Sequence, residues 1–127
     1  MSDAMLVFVG GGLGALVRYY VGMFAMKTFG MAFPWGTFFI NITGSFIMGA
    51  VISWLAFQEP TASKWFRVFF TTGVLGGYTT FSTFSLDSFV LWERGELMLA
   101  AAYVLGSVVL SLLAVAAGML GGRMLFQ

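Results

Sequence analysis

The chain has 127 residues, of which 60% are hydrophobic and 9% charged, and its formal net charge is +1. This apolar composition indicates an integral membrane protein, and the length suggests a single domain over residues 1–127. The small net charge gives no reason to expect a nucleic-acid partner. Because the sequence contains no Cys and no His, it excludes thiol chemistry, Cys/His metal sites and imidazole acid–base catalysis. A site built from carboxylates or backbone carbonyls remains open.

Charged residues divide the chain into four candidate membrane spans. The spans are residues 4–26, a segment within 28–58, residues 65–92 and residues 97–122. Each reaches the roughly 20 residues that a helix needs to cross the hydrocarbon core of a bilayer. Only short links remain between them. We therefore predict an all-α membrane protein with four transmembrane helices and no separate soluble domain.

The third span contains an unusual polar stretch, residues 71–85, with the sequence TTGVLGGYTTFSTFS. The Gly76–Gly77 pair costs about 1 kcal/mol per glycine in a helix, and the following Thr pair adds a smaller penalty. Lipid penalises each unpaired backbone group by several kcal/mol, so a broken helix must be shielded by protein or line a polar cavity. Broken helices at membrane depth commonly mark ion or substrate sites. We expect a broken third helix that carries the function.

The positive charges do not select an orientation. With four spans, one side of the membrane carries three basic residues and the other carries two or three, depending on where Arg18 lies. Either a single charge or the insertion machinery decides the orientation, or both orientations are made and pair. Four helices are too few to enclose a polar pathway, so the polar faces of the second and third spans predict a partner chain. The GxxxG spacings at 10/14 and 118/122 fit either a partner contact or packing within the chain.

The second span carries a line of polar residues, Thr37, Asn41 and Ser45, which the spacing i, i+4, i+8 places on one helix face. One interpretation is a hydrogen bond between helices, worth about 0.6–2 kcal/mol. The other is that these donors replace part of the hydration shell of an anion.

In the third span, Phe81 and Phe84 are three residues apart, with Ser82 and Thr83 between them. Such phenylalanines commonly face lipid or the protein core. Alternatively, the positive edges of their rings line a narrow path and favour an anion without a full positive charge.

In the fourth span, Tyr103 and Ser107 have helical i, i+4 spacing, which fits either a hydroxyl ladder or ordinary packing. Arg18 either extends to the nearer interface or lies at a pore mouth and attracts anions. No carboxylate lies near the middle of a span, so a proton relay is not evident. The sequence has no nucleophile–base pair, phosphate-binding loop or metalloenzyme motif, which argues against an enzyme.

The strings GGYTTFSTFS, WGTFFIN and GALVR closely resemble the Fluc (CrcB) fluoride channels, and the resemblance covers essentially the whole chain. It implies a small dual-topology homodimer, in which two antiparallel subunits form two fluoride pathways. It further implies passive export of fluoride across the bacterial plasma (inner) membrane, which protects the cell from fluoride toxicity.

The resemblance also implies roles for individual residues. The residues expected along the fluoride path are Asn41, Phe81, Ser82, Thr83, Phe84, Tyr103 and Ser107, to which we add Thr37 from the Asn41 face. Arg18 resembles a basic residue near the aqueous vestibule. A structural Na⁺ at the dimer centre would be held by the backbone carbonyls of Gly76 and Thr79 from both subunits, since such oxygens suit a hard cation.

Two other functions stay open at this stage. A small dual-topology multidrug or cation exporter has the same number of short spans, but it needs a membrane-embedded acid to couple protons. A non-transporting assembly subunit is also conceivable, although a broken polar span would be a costly choice for it.

Overall fold

The computed structural model describes residues 2–126, and this part of the chain is helical with no strand. Within these residues, three helices are long and apolar enough to cross a membrane: α1 (Asp3–Phe29), α2 (Trp35–Leu55) and α6 (Leu97–Phe126). The predicted all-α class is therefore confirmed.

The stretch between α2 and α6 consists of several shorter helical pieces. Helix α3 (Pro60–Phe66) continues into a π-helix (Arg67–Leu75) and then into α4 (Gly76–Tyr78). Thr79 and Thr80 are extended, with ψ angles of 156° and 122°. Helix α5 (Phe81–Glu93) begins directly after them. The interruption thus lies within residues 71–85.

Within this stretch the helix is interrupted at the Thr79–Thr80 pair and not at the glycine pair, because Gly76 has helical dihedrals (φ −61°, ψ −38°). The glycines serve close packing instead. A Cβ at Gly77 would overlap the carbonyl oxygen of Gly11, and one at Gly14 would overlap that of Val74. Helix α1 therefore lies backbone to backbone against the π-helix and α4.

Helices α2 and α6 form the other close pair. A Cβ on Gly118 would overlap the carbonyl oxygen of Phe46, and one on Gly122 would overlap the Ser53 side chain. Both GxxxG motifs therefore have partners within the chain. In lipid, where apolar burial adds little, such close van der Waals contact is what holds helices together.

The two helix pairs meet at a small core formed by Ile40 of α2, Leu75 of the π-helix and Tyr78 of α4. The Tyr78 hydroxyl lies 2.8 Å from Thr43 Oγ1, so its polar end also has a partner. Because Tyr78 is the last residue before the extended pair, this core fixes the end of α4. Helix α5 then packs on α6 and α2.

Candidate functional site

The side chain of Asn41 pairs with the backbone of the break. Its Nδ2 donates to the carbonyl oxygen of Thr80 at 2.9 Å, and its Oδ1 accepts from the amide of Thr80 at 2.8 Å. The amide group thus replaces a neighbouring strand, since it satisfies one donor and one acceptor of the extended pair. Unpaired, each of these groups would cost several kcal/mol in lipid.

Thr80 also starts the helix that follows the break. Its Oγ1 accepts from the amide of Thr83 at 3.2 Å, as an N-cap residue does, and it donates to Thr83 Oγ1 at 3.2 Å. Ser82 Oγ lies 3.3 Å away. Thr80 was not among the predicted site residues, although a Thr directly before the first residue of a helix is a typical N-cap signal.

These bonds leave two backbone carbonyls without their usual helical partners. In a continuous helix the amide of Thr80 would donate to the carbonyl oxygen of Gly76, but here it donates to Asn41 Oδ1. Likewise, the amide of Thr83 would donate to the carbonyl oxygen of Thr79, but here it donates to Thr80 Oγ1. Gly76 is exposed and Thr79 is half-buried on the single chain. Carbonyl oxygens that lack a helical partner are ligands that a hard cation prefers, so the donor set fits the expected Na⁺.

A cavity of about 440 Å³, here called the vestibule cavity, opens beside the break. Arg18 lines this cavity. The Nε of Arg18 donates to the carbonyl oxygen of Gly77 at 3.0 Å. Other polar residues of the wall include Tyr19, Thr37, Thr80, Thr83, Asp87 and Arg94. Two guanidinium groups and one carboxylate therefore share a single concave surface.

A second concave surface, here called the phenylalanine groove, has a volume of about 400 Å³. Phe81 and Phe84 line it, with ring centroids 5.5 Å apart and an angle of 52° between the rings. Phe81 is 78% exposed, so one side of the groove is open. Its polar lining residues are Asn41, Ser45, Thr79, Thr80, Ser107 and Ser111.

Ser107 contributes to the groove a buried hydroxyl that is unpaired among the described residues. Its hydroxyl oxygen is buried and has no hydrogen-bond partner within residues 2–126. Asn41 retains capacity as well, because an amide NH₂ has two hydrogens and the Thr80 carbonyl takes only one. The groove thus presents donors to whatever enters it.

Tyr103 lines neither surface but joins them. Its side chain is fully buried, with its ring 5.3 Å from that of Phe84 and 5.5 Å from that of Phe33. Its hydroxyl donates to Asp87 Oδ2 at 3.1 Å. This bond was not predictable from the sequence, because no sequence pattern links residues 16 apart on different helices.

The remaining expected path residues are distributed unevenly. Thr37 and Thr83 lie on the vestibule cavity, whereas Asn41 lies on the phenylalanine groove. Ser45, which shares the predicted polar face of α2 but was not expected on the path, also lines the groove. Ser82 is exposed and lines neither surface. The polar face predicted for α2 is therefore divided between two surfaces that meet at Thr80.

Comparison with known proteins gives a family and close relatives. The family described as CrcB-like protein, Camphor Resistance (CrcB), matches residues 5–119. The chain is 56% identical over 115 residues to the fluoride-specific ion channel FluC 2 of Nitrobacter hamburgensis, covering 91% of this chain and 92% of the relative. It is 50% identical to the fluoride-specific ion channel FluC of Rhizobium meliloti, with 94% of each chain covered.

A further relative, the fluoride-specific ion channel FluC of Agrobacterium fabrum, is 49% identical over 126 residues, covering 99% of this chain and all of the relative. The three apolar helices and these bacterial relatives agree with a multi-pass bacterial membrane protein. With a family match over most of its length and relatives at about half identity, the chain belongs to the CrcB family.

Proposed function

We propose that the protein is a passive, fluoride-selective channel rather than an enzyme. The observation that carries this proposal is the phenylalanine groove, which combines two phenylalanine rings with spare hydrogen-bond donors beside a helix break. Relatives at about half identity are named fluoride-specific ion channels, which supports fluoride as the ion.

The proposed route begins at the vestibule cavity, where Arg18 and Arg94 raise the local concentration of anions. Fluoride then exchanges its water for donors along the groove. The second N–H of Asn41 and the hydroxyl of Ser107 supply strong hydrogen bonds, and the edges of Phe81 and Phe84 supply weaker attraction. A series of moderate contacts allows an ion to enter and leave quickly, whereas a buried full charge would hold it.

We infer that the working unit is an antiparallel homodimer with two fluoride pathways. The strongly exposed Phe81 lies next to polar groove residues, a combination that lipid would solvate poorly. A second copy covers the open side of the groove. An antiparallel arrangement also accounts for the lack of charge bias between the two sides of the chain.

The proposed dimer centre holds a structural Na⁺ between the two breaks. The carbonyls of Gly76 and Thr79 from both subunits supply four oxygen ligands about a two-fold axis. The ion offsets the partial negative charge of carbonyls that receive no helical hydrogen bond. Its role is structural, and fluoride passes elsewhere.

The direction of transport follows from the membrane potential. An interior-negative potential moves a monovalent anion outward with about 2.3 kcal/mol per 100 mV. A passive channel in the inner membrane therefore expels fluoride from the cytoplasm without an energy source of its own, and the cell is protected from fluoride toxicity.

The test is efflux from liposomes containing the purified protein, loaded with fluoride or with chloride. With valinomycin carrying K⁺, we expect fast fluoride release and negligible chloride release. Proton-coupled exchange of cationic toxicants without fluoride release would support the exporter instead. If neither ion release nor toxicant exchange is detected, the result would support a non-transporting assembly subunit.

A further inference from the structure

Arg18 makes a bond that its position in the sequence does not suggest. It lies inside α1, where a basic side chain ordinarily extends toward the membrane interface. Instead, its Nε donates to the carbonyl oxygen of Gly77, 59 residues further along the chain, at 3.0 Å. The donor is therefore directed at the end of α4, next to the break.

The carbonyl that Arg18 contacts has no helical partner. In a continuous helix the amide of Phe81 would bond Gly77 O, but the extended Thr79–Thr80 pair separates α4 from α5. Gly77 O is thus one of the free carbonyls at a helix C-terminus, where a cation is favourable. A guanidinium N–H supplies both the hydrogen bond and the positive charge.

The packing of α1 fixes the reach of this side chain. Gly14 lies one turn before Arg18 and touches the backbone of Val74 and Tyr78 so closely that a Cβ would overlap it. Because this contact holds the α1 backbone against α4, it keeps the Arg18 side chain within hydrogen-bond distance of the Gly77 carbonyl oxygen. Helix α1 is therefore in direct backbone contact with the π-helix and with α4, which ends at the break.

We propose that Arg18 is a positioning residue for the sodium site. It fixes the peptide carrying Gly77 O, the immediate neighbour of Gly76 O and two residues from Thr79 O. The sodium affinity therefore depends on the Nε donor of Arg18 and not only on the carbonyls themselves. The inference rests on the proposed function, because it presupposes the Na⁺ between the two breaks.

Three substitutions of Arg18 separate the donor from the charge. Gln carries its Nε2 on Cδ, as Arg carries its Nε, so Arg18→Gln keeps an N–H at this position and loses the charge. Arg18→Lys keeps the charge but places a methylene where Nε stands, and Arg18→Met removes both. Arg94→Gln is the matched control, because Arg94 shares the vestibule cavity with Arg18 but does not bond the break.

The experiment measures the thermal unfolding of each purified dimer while Na⁺ replaces N-methylglucamine at constant ionic strength. We expect the sodium midpoint of Arg18→Met to rise about 10-fold, as the loss of one hydrogen bond to a charged group predicts. Arg18→Gln and Arg94→Gln should stay within about threefold of the wild type on the same scale. Wild-type protein without a sodium response would refute the sodium site, and this inference with it.

If the wild type responds and Arg18→Met has the same midpoint, the inference is overturned while the sodium site stands. Should Arg18→Met fail to fold, the comparison of Arg18→Gln with Arg18→Lys decides. If the hydrogen-bond donor matters, Arg18→Gln should have a lower sodium midpoint than Arg18→Lys. The reverse order would show that charge alone matters and would overturn the inference.

Discussion

The pairing of Asn41 with Thr80 gives the sharpest prediction about the break. Asn41→Ala removes the partner of one backbone N–H and one backbone C=O, at 2.8 Å and 2.9 Å. Both groups are partly buried, and the extended pair gives them no helical replacement. We expect the variant to be less stable and the break to become more mobile.

The size of the effect can be bounded from two sides. Leaving a buried polar group unsatisfied costs about 1–3 kcal/mol, so two groups give an upper range of about 2–6 kcal/mol. Side-chain hydrogen bonds in membrane proteins average about 0.6 kcal/mol, with a maximum near 1.7, which sets a lower range of about 1–3 kcal/mol for two. Because an extended backbone has fewer alternative partners than a helical one, we expect a loss of about 2–4 kcal/mol in the free energy of unfolding.

The measurement is reversible unfolding in detergent, combined with amide hydrogen exchange of the peptide that contains Thr80. Exchange there should accelerate by at least tenfold, since 1.4 kcal/mol corresponds to a factor of ten. Ser45→Ala is the control, because Ser45 lines the same groove but bonds only the backbone of its own helix. Unfolding within about 0.5 kcal/mol of wild type, with unchanged exchange at Thr80, would refute the reasoning.

Three further predictions address the groove and the packing beneath it. Phe81→Ile or Phe84→Ile should reduce fluoride efflux from liposomes at least tenfold while the dimer still assembles, because the ring edges are lost; wild-type efflux from both variants would contradict this. Ser107→Ala should leave stability within about 1 kcal/mol, since its hydroxyl has no partner, yet slow fluoride efflux; unchanged efflux would remove Ser107 from the path. Gly14→Ala should lower the free energy of unfolding by more than about 2 kcal/mol, because the added Cβ overlaps the π-helix backbone. The control Gly12→Ala, with no atom within 4 Å of its added Cβ, should cost nothing measurable, and equal stability of the two variants would contradict the packing.

The sequence was sufficient for the features that depend on local composition. Charge positions and apolar run lengths delimit the spans, because lipid tolerates neither charge nor unpaired backbone. The polar stretch 71–85 predicted the segment that contains the interruption, because lipid penalises the unpaired backbone groups of a broken helix. The residue at which the helix ends was not predictable from glycine content, because Gly77 packs against Gly11 and remains helical.

The pairings that shape the site were not predictable, because each joins residues far apart in the chain. Asn41 and Thr80 are separated by 39 residues, and Arg18 and Gly77 by 59. The π-helix was missed as well. Helical propensity does not distinguish the bonding register of a π-helix from that of an α-helix, and here the Thr71 hydroxyl bonds the Arg67 carbonyl within it.

These pairings bear on how a polar side chain in the membrane acquires a function. The sequence posed a choice for Asn41 between bonding protein and solvating an anion. The structure shows the first without using up the capacity for the second, since the amide holds Thr80 and keeps one N–H in reserve. A donor held rigidly in this way does not reorient when an ion arrives, so it loses less entropy than a free side chain would. On this reasoning the break and the groove depend on the same amide, and a substitution that loosens the break should also weaken recognition of the ion.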